Sequence, residues 1–253
     1  SEIYIENMSL TVYQTPKKGS SKKASVSHFS DTWVHVIAPT EDETASLARE
    51  YGIDTTIVSD IQDTFEVPRF EYEGNTGYFF TRYIYDGTDI DTAPILFVLG
   101  KHFLVSIAPF ETPFLTQRVS RETTDNLPAS QLFLECLGDL ILSYERKLTK
   151  IRKHVYADMR HVRNIRGREI QRLVFLEQEI NEIISTVTPT YIWLNQVSKT
   201  PYSGLFQAEL GQLEDVVIAT GQLVDSAKSI LKSIQNVRNA TEAILTQNLN
   251  ITI

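Results

Sequence analysis

In this 253-residue chain the side chains best suited to chemistry are scattered carboxylates and one run of cations, and neither has the spacing that catalysis needs. Cys136 is the only cysteine, so neither an internal disulfide nor a four-cysteine zinc site can form. Its neighbours Leu134 and Leu137 are apolar and no basic residue adjoins it, which reads as a buried thiol. His154 and His161 stand seven apart on a charged helix without a third ligand at useful spacing, which argues against zinc. His35 alternates with Trp33 in a β-like run, the place of a packed sheet histidine. There is no Gly-x-Ser-x-Gly, phosphate loop or metalloprotease motif, and no two carboxylates are set for acid–base work, so an enzyme is not expected. Asp60, Asp139 and Asp215 each read, on residue type alone, as solvated helix aspartates, with an acidic cluster as the alternative for Asp139.

The cations are better organised. From Arg146 to Arg172 ten Lys or Arg stand against two acids, Asp158 and Glu169, so the segment carries +8 within a chain of net charge −8 and the rest carries −16. Arg160, Arg163, Arg166 and Arg168 suit anionic headgroups, acidic helices of another copy, or a solvated tip. Nucleic acid is not expected as a partner: no aromatic residue interleaves the cations between Met159 and Gln171, and the chain is acidic overall. The N-terminal run does not read as a signal peptide, and no stretch approaches the ~18 apolar residues that cross a bilayer. The sequence as it stands is expected to be soluble.

These residues need elements to hold them. Residues 1–128 read as mixed α/β, with β-like runs at Ile3–Tyr13, Ser27–Ala38, Phe70–Glu73, Tyr78–Tyr85, Ile95–Leu99 and Phe103–Ala108. Gly100-Lys101-His102 is a hairpin turn. Thr40-Glu41-Asp42-Glu43 has capping-box spacing and predicts a helix to Tyr51 with Gly52 ending it, and a second short helix follows over about Thr56–Gln62. After Leu127-Pro128 the pattern becomes helical. Apolar residues recur every three or four positions from Leu137 to Val162, break at Asn164-Ile165-Arg166-Gly167, and resume from Ile170 until they meet Pro189. This predicts an antiparallel helical hairpin over 129–200. From 201 to 253 a stripe running Phe206, Leu210, Leu213, Val217, Thr220, Val224, Ala227, Leu231, Ile234 predicts one helix roughly 70 Å long. Its weak core residues (Thr220, Ala227, Thr241, Asn248) suit a broad bundle around a polar axis, with an ordinary long helix in a single bundle as the alternative.

The order of these parts resembles the CorA family of divalent cation transporters. Thr32-Trp33-Val34-His35-Val36 with Pro39 and Glu43, Tyr51-Gly52-Ile53 through Ile57-Val58-Ser59-Asp60-Ile61, Pro68-Arg69-Phe70-Glu71, Gly77-Tyr78-Phe79-Phe80, and Leu137-Gly138-Asp139-Leu140 with Tyr144-Glu145 are similar to family segments and occur in the family's order. Thr246-Gln247-Asn248-Leu249-Asn250 resembles the end of the family's stalk, where the pore helix enters the membrane, and the family's Gly-Met-Asn signature is absent.

The resemblance implies an α+β domain, a helical hairpin and a long stalk helix, arranged as a funnel-like homo-oligomer, pentameric in the family. It implies the cytoplasmic sensor part of a magnesium channel, cut before its membrane helices, on the inner side of the cell membrane. It further implies a regulatory Mg2+ held by Asp60 of one subunit and Asp215 of its neighbour, so that loss of the ion loosens the ring. A relative moving Zn2+, Co2+ or Ni2+ through the same architecture is the nearest alternative. A soluble coiled-coil scaffold with a basic arm is the alternative of another class.

Overall fold

The computed structural model describes residues 2–4, 10–14, 32–86, 90–119, 127–159, 167–200 and 206–251. The strands are β1 (Glu2–Tyr4), β2 (Leu10–Gln14), β3 (Thr32–Ile37), β4 (Arg69–Glu73), β5 (Thr76–Asp86), β6 (Ile90–Leu99) and β7 (Phe103–Ala108). They form one sheet in the order β1-β2-β3-β7-β6-β5-β4, antiparallel throughout except where β3 runs parallel to β7. The helices are α1 (Glu41–Tyr51), α2 (Thr55–Ser59), α3 (Pro113–Val119), α4 (Ala129–Met159), α5 (Gly167–Lys199) and α6 (Leu210–Ile251), with a 3-10 turn at Asp60–Gln62.

Strands β3, β5, β6 and β7 carry apolar side chains on both faces because helices cover both. Val34, Val36, Tyr78, Phe80, Leu96, Val98, Val105 and Ile107 pack with Leu47 of α1, Val58 of α2 and Ile61 of the 3-10 turn. Trp33, Phe79, Ile95, Phe97, Leu99 and Leu104 point the other way, into a larger core built with α3, α4, α5 and α6. Phe133 of α4 is its aromatic centre, with ring centroids 4.7 Å from Phe79, 5.4 Å from Phe97 and 5.9 Å from Phe206.

Local chemistry sets the boundaries around the site. The Thr40 hydroxyl accepts from the Glu43 N–H, and Glu43 Oε2 accepts from the Thr40 N–H at 2.7 Å, which completes the predicted capping box. Gly52 ends α1 in the left-handed region (φ +66°), where an L side chain is strained. Asp54 caps α2 through its Oδ1, which accepts from the Thr56 N–H at 2.6 Å.

Several expectations shift. The run predicted as one strand over Ile3–Tyr13 is two antiparallel strands with Glu2 opposite Tyr13, and β6 starts at Ile90 rather than Ile95. Only Thr32–Ile37 of the run Ser27–Ala38 lies in a described strand. The second short helix tightens into the 3-10 turn at Asp60. Pro189 does not end its helix, which continues ten residues to Lys199, because buried Trp193, Leu194 and Val197 anchor the continuation and outweigh the lost Pro189 N–H. The last helix begins at Leu210, with Phe206 in the preceding turn and packed into the core; forty-two residues make it about 63 Å long. Its buried stripe is wider than the predicted one and offset from it. Val216, Leu223 and Ile230 are buried, Leu210 is exposed, and Val217 and Leu231 are only half-buried. A 3.6-residue helix drifts from a 3.5-residue repeat, and α6 packs along both α4 and α5, more extensively than those two pack on each other. The basic tip, with Arg160, His161, Arg163 and Arg166, lies outside the described residues.

Candidate metal centre

Asp60 is the first residue of the 3-10 turn, and the burial of Val58 and Ile61 on either side fixes it against the sheet. Its N–H donates to the carbonyls of Ile57 and Val58. Asp60 Oδ2 accepts from Arg69 Nη2 at 2.6 Å. Arg69 opens edge strand β4 opposite Phe80, and its guanidinium carbon stands 4.1 Å from the centroid of the Phe80 ring. The same guanidinium pairs with Glu71 Oε1 at 2.7 Å and with Glu66. One planar cation thus collects three carboxylates at the sheet edge, using its five donors as a fork. The pairing takes one Asp60 oxygen and leaves Oδ1 without a hydrogen-bond partner among the described residues.

Asp215 lies in the second turn of α6. Leu213 and Val216 on either side of it are buried against the bundle, so the carboxylate projects to solvent beside exposed Glu214 and one turn before exposed Ile218. The chain does not bring Asp60 and Asp215 together. Asp60 belongs to the elements on one face of the sheet, and Asp215 to the helices packed on the other. Oxygen donors of this kind, one or two carboxylates with water completing the shell, are the chemistry by which a hard cation such as Mg2+ is commonly held. A site using both needs two copies of the chain.

The remaining candidates have structural partners. Asp139 Oδ2 accepts from Arg118 Nε at 2.5 Å, and Arg118 also binds Glu135, tying α3 to α4. Asp139 is therefore paired rather than a solvated carboxylate. Cys136 is fully buried, and although Arg118 reaches its surroundings from α3, burial pushes the thiol up, away from nucleophile chemistry. The sequence alone had placed no cation beside it. His35 is buried, with Nδ1 bonded to Ser106 Oγ at 2.8 Å and Nε2 to Thr112 Oγ1 at 2.8 Å. Trp33 Nε1 donates to the same Ser106 oxygen at 3.0 Å. Desolvation lowers the His35 pKa to about 4, so the ring is neutral and serves the sheet. His154 is exposed on α4. Among the described residues no three His, Cys, Asp or Glu side chains converge to hold an ion by themselves. Arg69 was visible beforehand only as part of a motif; its i, i+2 spacing to Glu71 on one strand face was the usable signal.

Comparison with known proteins identifies the lineage. The profile of the CorA-like Mg2+ transporter protein family matches residues 30–253. The chain belongs to that family. No curated protein sequence matches it significantly. Its CorA-like fold aligns with the complete CorA magnesium transporter of Methanocaldococcus jannaschii at TM-score 0.81 and 15% identity, covering 95% of this chain and 78% of the other. It aligns with the soluble domain of the same transporter at TM-score 0.80 and 15% identity, covering 95% and 99%. The ZntB cytoplasmic domain of Vibrio parahaemolyticus follows at TM-score 0.75 and 10% identity, covering 90% and 93%. Among the described residues, no helix of this CorA-family chain is long and apolar enough to cross a membrane.

Proposed function

We propose that this chain is the cytoplasmic ion-sensing part of a CorA-type magnesium channel and works as a ring of identical subunits, five if it follows the family. Asp60 of one subunit and Asp215 of the next hold Mg2+ between them. The bound ion supplies positive charge that offsets the repulsion of facing carboxylates and so draws neighbouring subunits together. When cytoplasmic Mg2+ falls and the ion leaves, the interface loosens and the attached pore is released to open. The reading assigns ion transport and its control, with no catalytic step.

The observation that carries it is the placement of the two aspartates on opposite sides of one sheet, each with an oxygen to offer outward, in a chain of the CorA-like family. Arg69 holds Asp60 through Oδ2 alone, which orients the other oxygen and keeps a cation from being drawn fully into the chain. Oxygen-only donors favour Mg2+ over Zn2+, which prefers imidazole and thiolate. The likeness to the ZntB cytoplasmic domain supports a second reading, in which the transported ion is Zn2+ or another divalent metal.

Calorimetric titration tests both. Mg2+ added to the chain gives a saturable heat that Asp60→Asn and Asp215→Asn each abolish. A heat that persists in both variants, or one seen with Zn2+ and not Mg2+, would remove this site or this ion.

A further inference from the structure

The basic segment that stands out in the sequence has one described part that the sensing role does not use. Arg146, Lys147 and Lys150 of α4, with Ser143 one turn before, line a cleft of about 250 Å³ whose other wall is α3, contributed by Pro113, Phe114 and Gln117. Asp139 also lines it, with its Oδ2 engaged by Arg118 at 2.5 Å. Lys147 pairs with Glu179 of α5 at 3.1 Å. Arg146 and Lys150 are exposed and have no acidic partner among the described residues. They stand at i and i+4 on one helical face, where like charges repel each other and gain from a shared counter-ion. Nothing in the fold requires them there, since the buried face of this stretch is made by Tyr144, Leu148 and Ile151.

We propose that the α3–α4 cleft is a binding site for a small phosphoryl anion, held by Arg146 and Lys150 with Gln117 and Ser143 at the wall. A guanidinium gives bidentate hydrogen bonds to a phosphate and an ammonium adds a point charge, while Ser143, whose hydroxyl donates to the Leu140 carbonyl at 2.6 Å, serves only as cleft wall. The volume lies below the ~300–1,000 Å³ of sites that enclose whole drug-sized ligands. It accepts one or two phosphoryl groups, with any larger remainder of the ligand outside. Two sources share this chemistry: a soluble phosphate ester or pyrophosphate, and the headgroup of an anionic phospholipid. This site is independent of the Asp60–Asp215 reading, and neither depends on the other.

Pyrophosphate is the probe. Titrated into the whole chain at moderate salt, it binds saturably at one site, and Arg146→Gln with Lys150→Gln weakens it at least about tenfold, since a hydrogen bond to a charged group contributes about 1.5–3 kcal/mol. Lys153→Gln, an exposed cation of the same helix outside the cleft, leaves binding unchanged, which separates a built site from general attraction to a basic helix. Phosphorus NMR line broadening of pyrophosphate, reversed by the double variant, gives the same answer by an independent readout. Vesicles of phosphatidylcholine with phosphatidic acid identify the source. Capture of those vesicles that pyrophosphate displaces assigns the lipid headgroup to this cleft. Capture that pyrophosphate does not displace and the double variant does not weaken overturns the cleft as its site. Absence of saturable pyrophosphate binding, or equal binding by wild type and double variant, overturns the proposal. So does salt-sensitive self-association lost in the double variant without competition by pyrophosphate, because another copy's acidic surface would then fill the cleft.

Discussion

His35 makes stability depend on pH in a way that follows from its cage. Both ring nitrogens are bonded, to Ser106 and Thr112, and the ring is buried between β3, β7 and the loop before α3. Desolvation is the main cause of its lowering, from 6.5 to about 4. Above pH 6.5 the ring is neutral whether the chain is folded or unfolded, and it contributes no pH dependence. As pH falls below 6.5 the unfolded chain binds a proton that the folded chain refuses, so folding free energy drops by about 1.4 kcal/mol per pH unit. The loss accumulates to about 3 kcal/mol near pH 4 and then levels off. That is a large part of the ~5–15 kcal/mol by which domains are stable. The perturbation is His35→Gln, which keeps an amide donor and acceptor and cannot titrate. Urea unfolding of both proteins from pH 7.5 to pH 4 is the assay, because carboxylates contribute equally to each and cancel in the difference. The wild type should lose stability faster than the variant below pH 6.5. Parallel curves, or a folded-state His35 proton titrating near 6.5 by NMR, would refute the reasoning.

Other predictions follow from local geometry. Ala38 is a non-glycine residue at φ +49° with its N–H bonded to the Ala108 carbonyl at 2.8 Å, so Ala38→Gly should stabilise by about 1 kcal/mol, read as a higher Tm. Gly52→Ala should lose a similar ~1 kcal/mol although no atom lies within 4 Å of the added methyl, since the cost is conformational. Phe133→Ala empties the centre of the aromatic core and should cost about 3–5 kcal/mol in denaturant unfolding. Arg69→Met removes the shared cation of Asp60, Glu66 and Glu71; in this half-exposed network it should cost about 1–2 kcal/mol, and added Mg2+ should restore part of that, which thermal melts with and without the ion would show.

The parts of the fold that were legible in the sequence are those governed by short-range chemistry. The Thr40–Glu43 box, the glycine after Tyr51 and the turn at Gly100 each satisfy a local rule, and each forms. Where tertiary packing overrides local preference the expectations moved. Pro189 sits inside α5 because Trp193 and Leu194 are held by the core, and α6 turns a wider face inward because it has two helical neighbours. The candidate site was legible only as two residues. No local rule told that Arg69 would reach Asp60 across nine positions, or that Arg118 would take Asp139, because pairings of that range depend on how strand edges and helices meet. The resemblance had already put Asp60 and Asp215 in different subunits; that they lie on opposite faces of one sheet emerged only when the two cores were assigned.

The central claim is that Mg2+ joins subunits through these two aspartates, and sedimentation velocity tests it most directly. The chain is run with millimolar Mg2+ and with chelator, beside Asp60→Ala and Asp215→Ala. A Mg2+-tightened oligomer that dissociates with chelator and is weakened by either substitution is the predicted result. An association state indifferent to Mg2+ in all three proteins would contradict it.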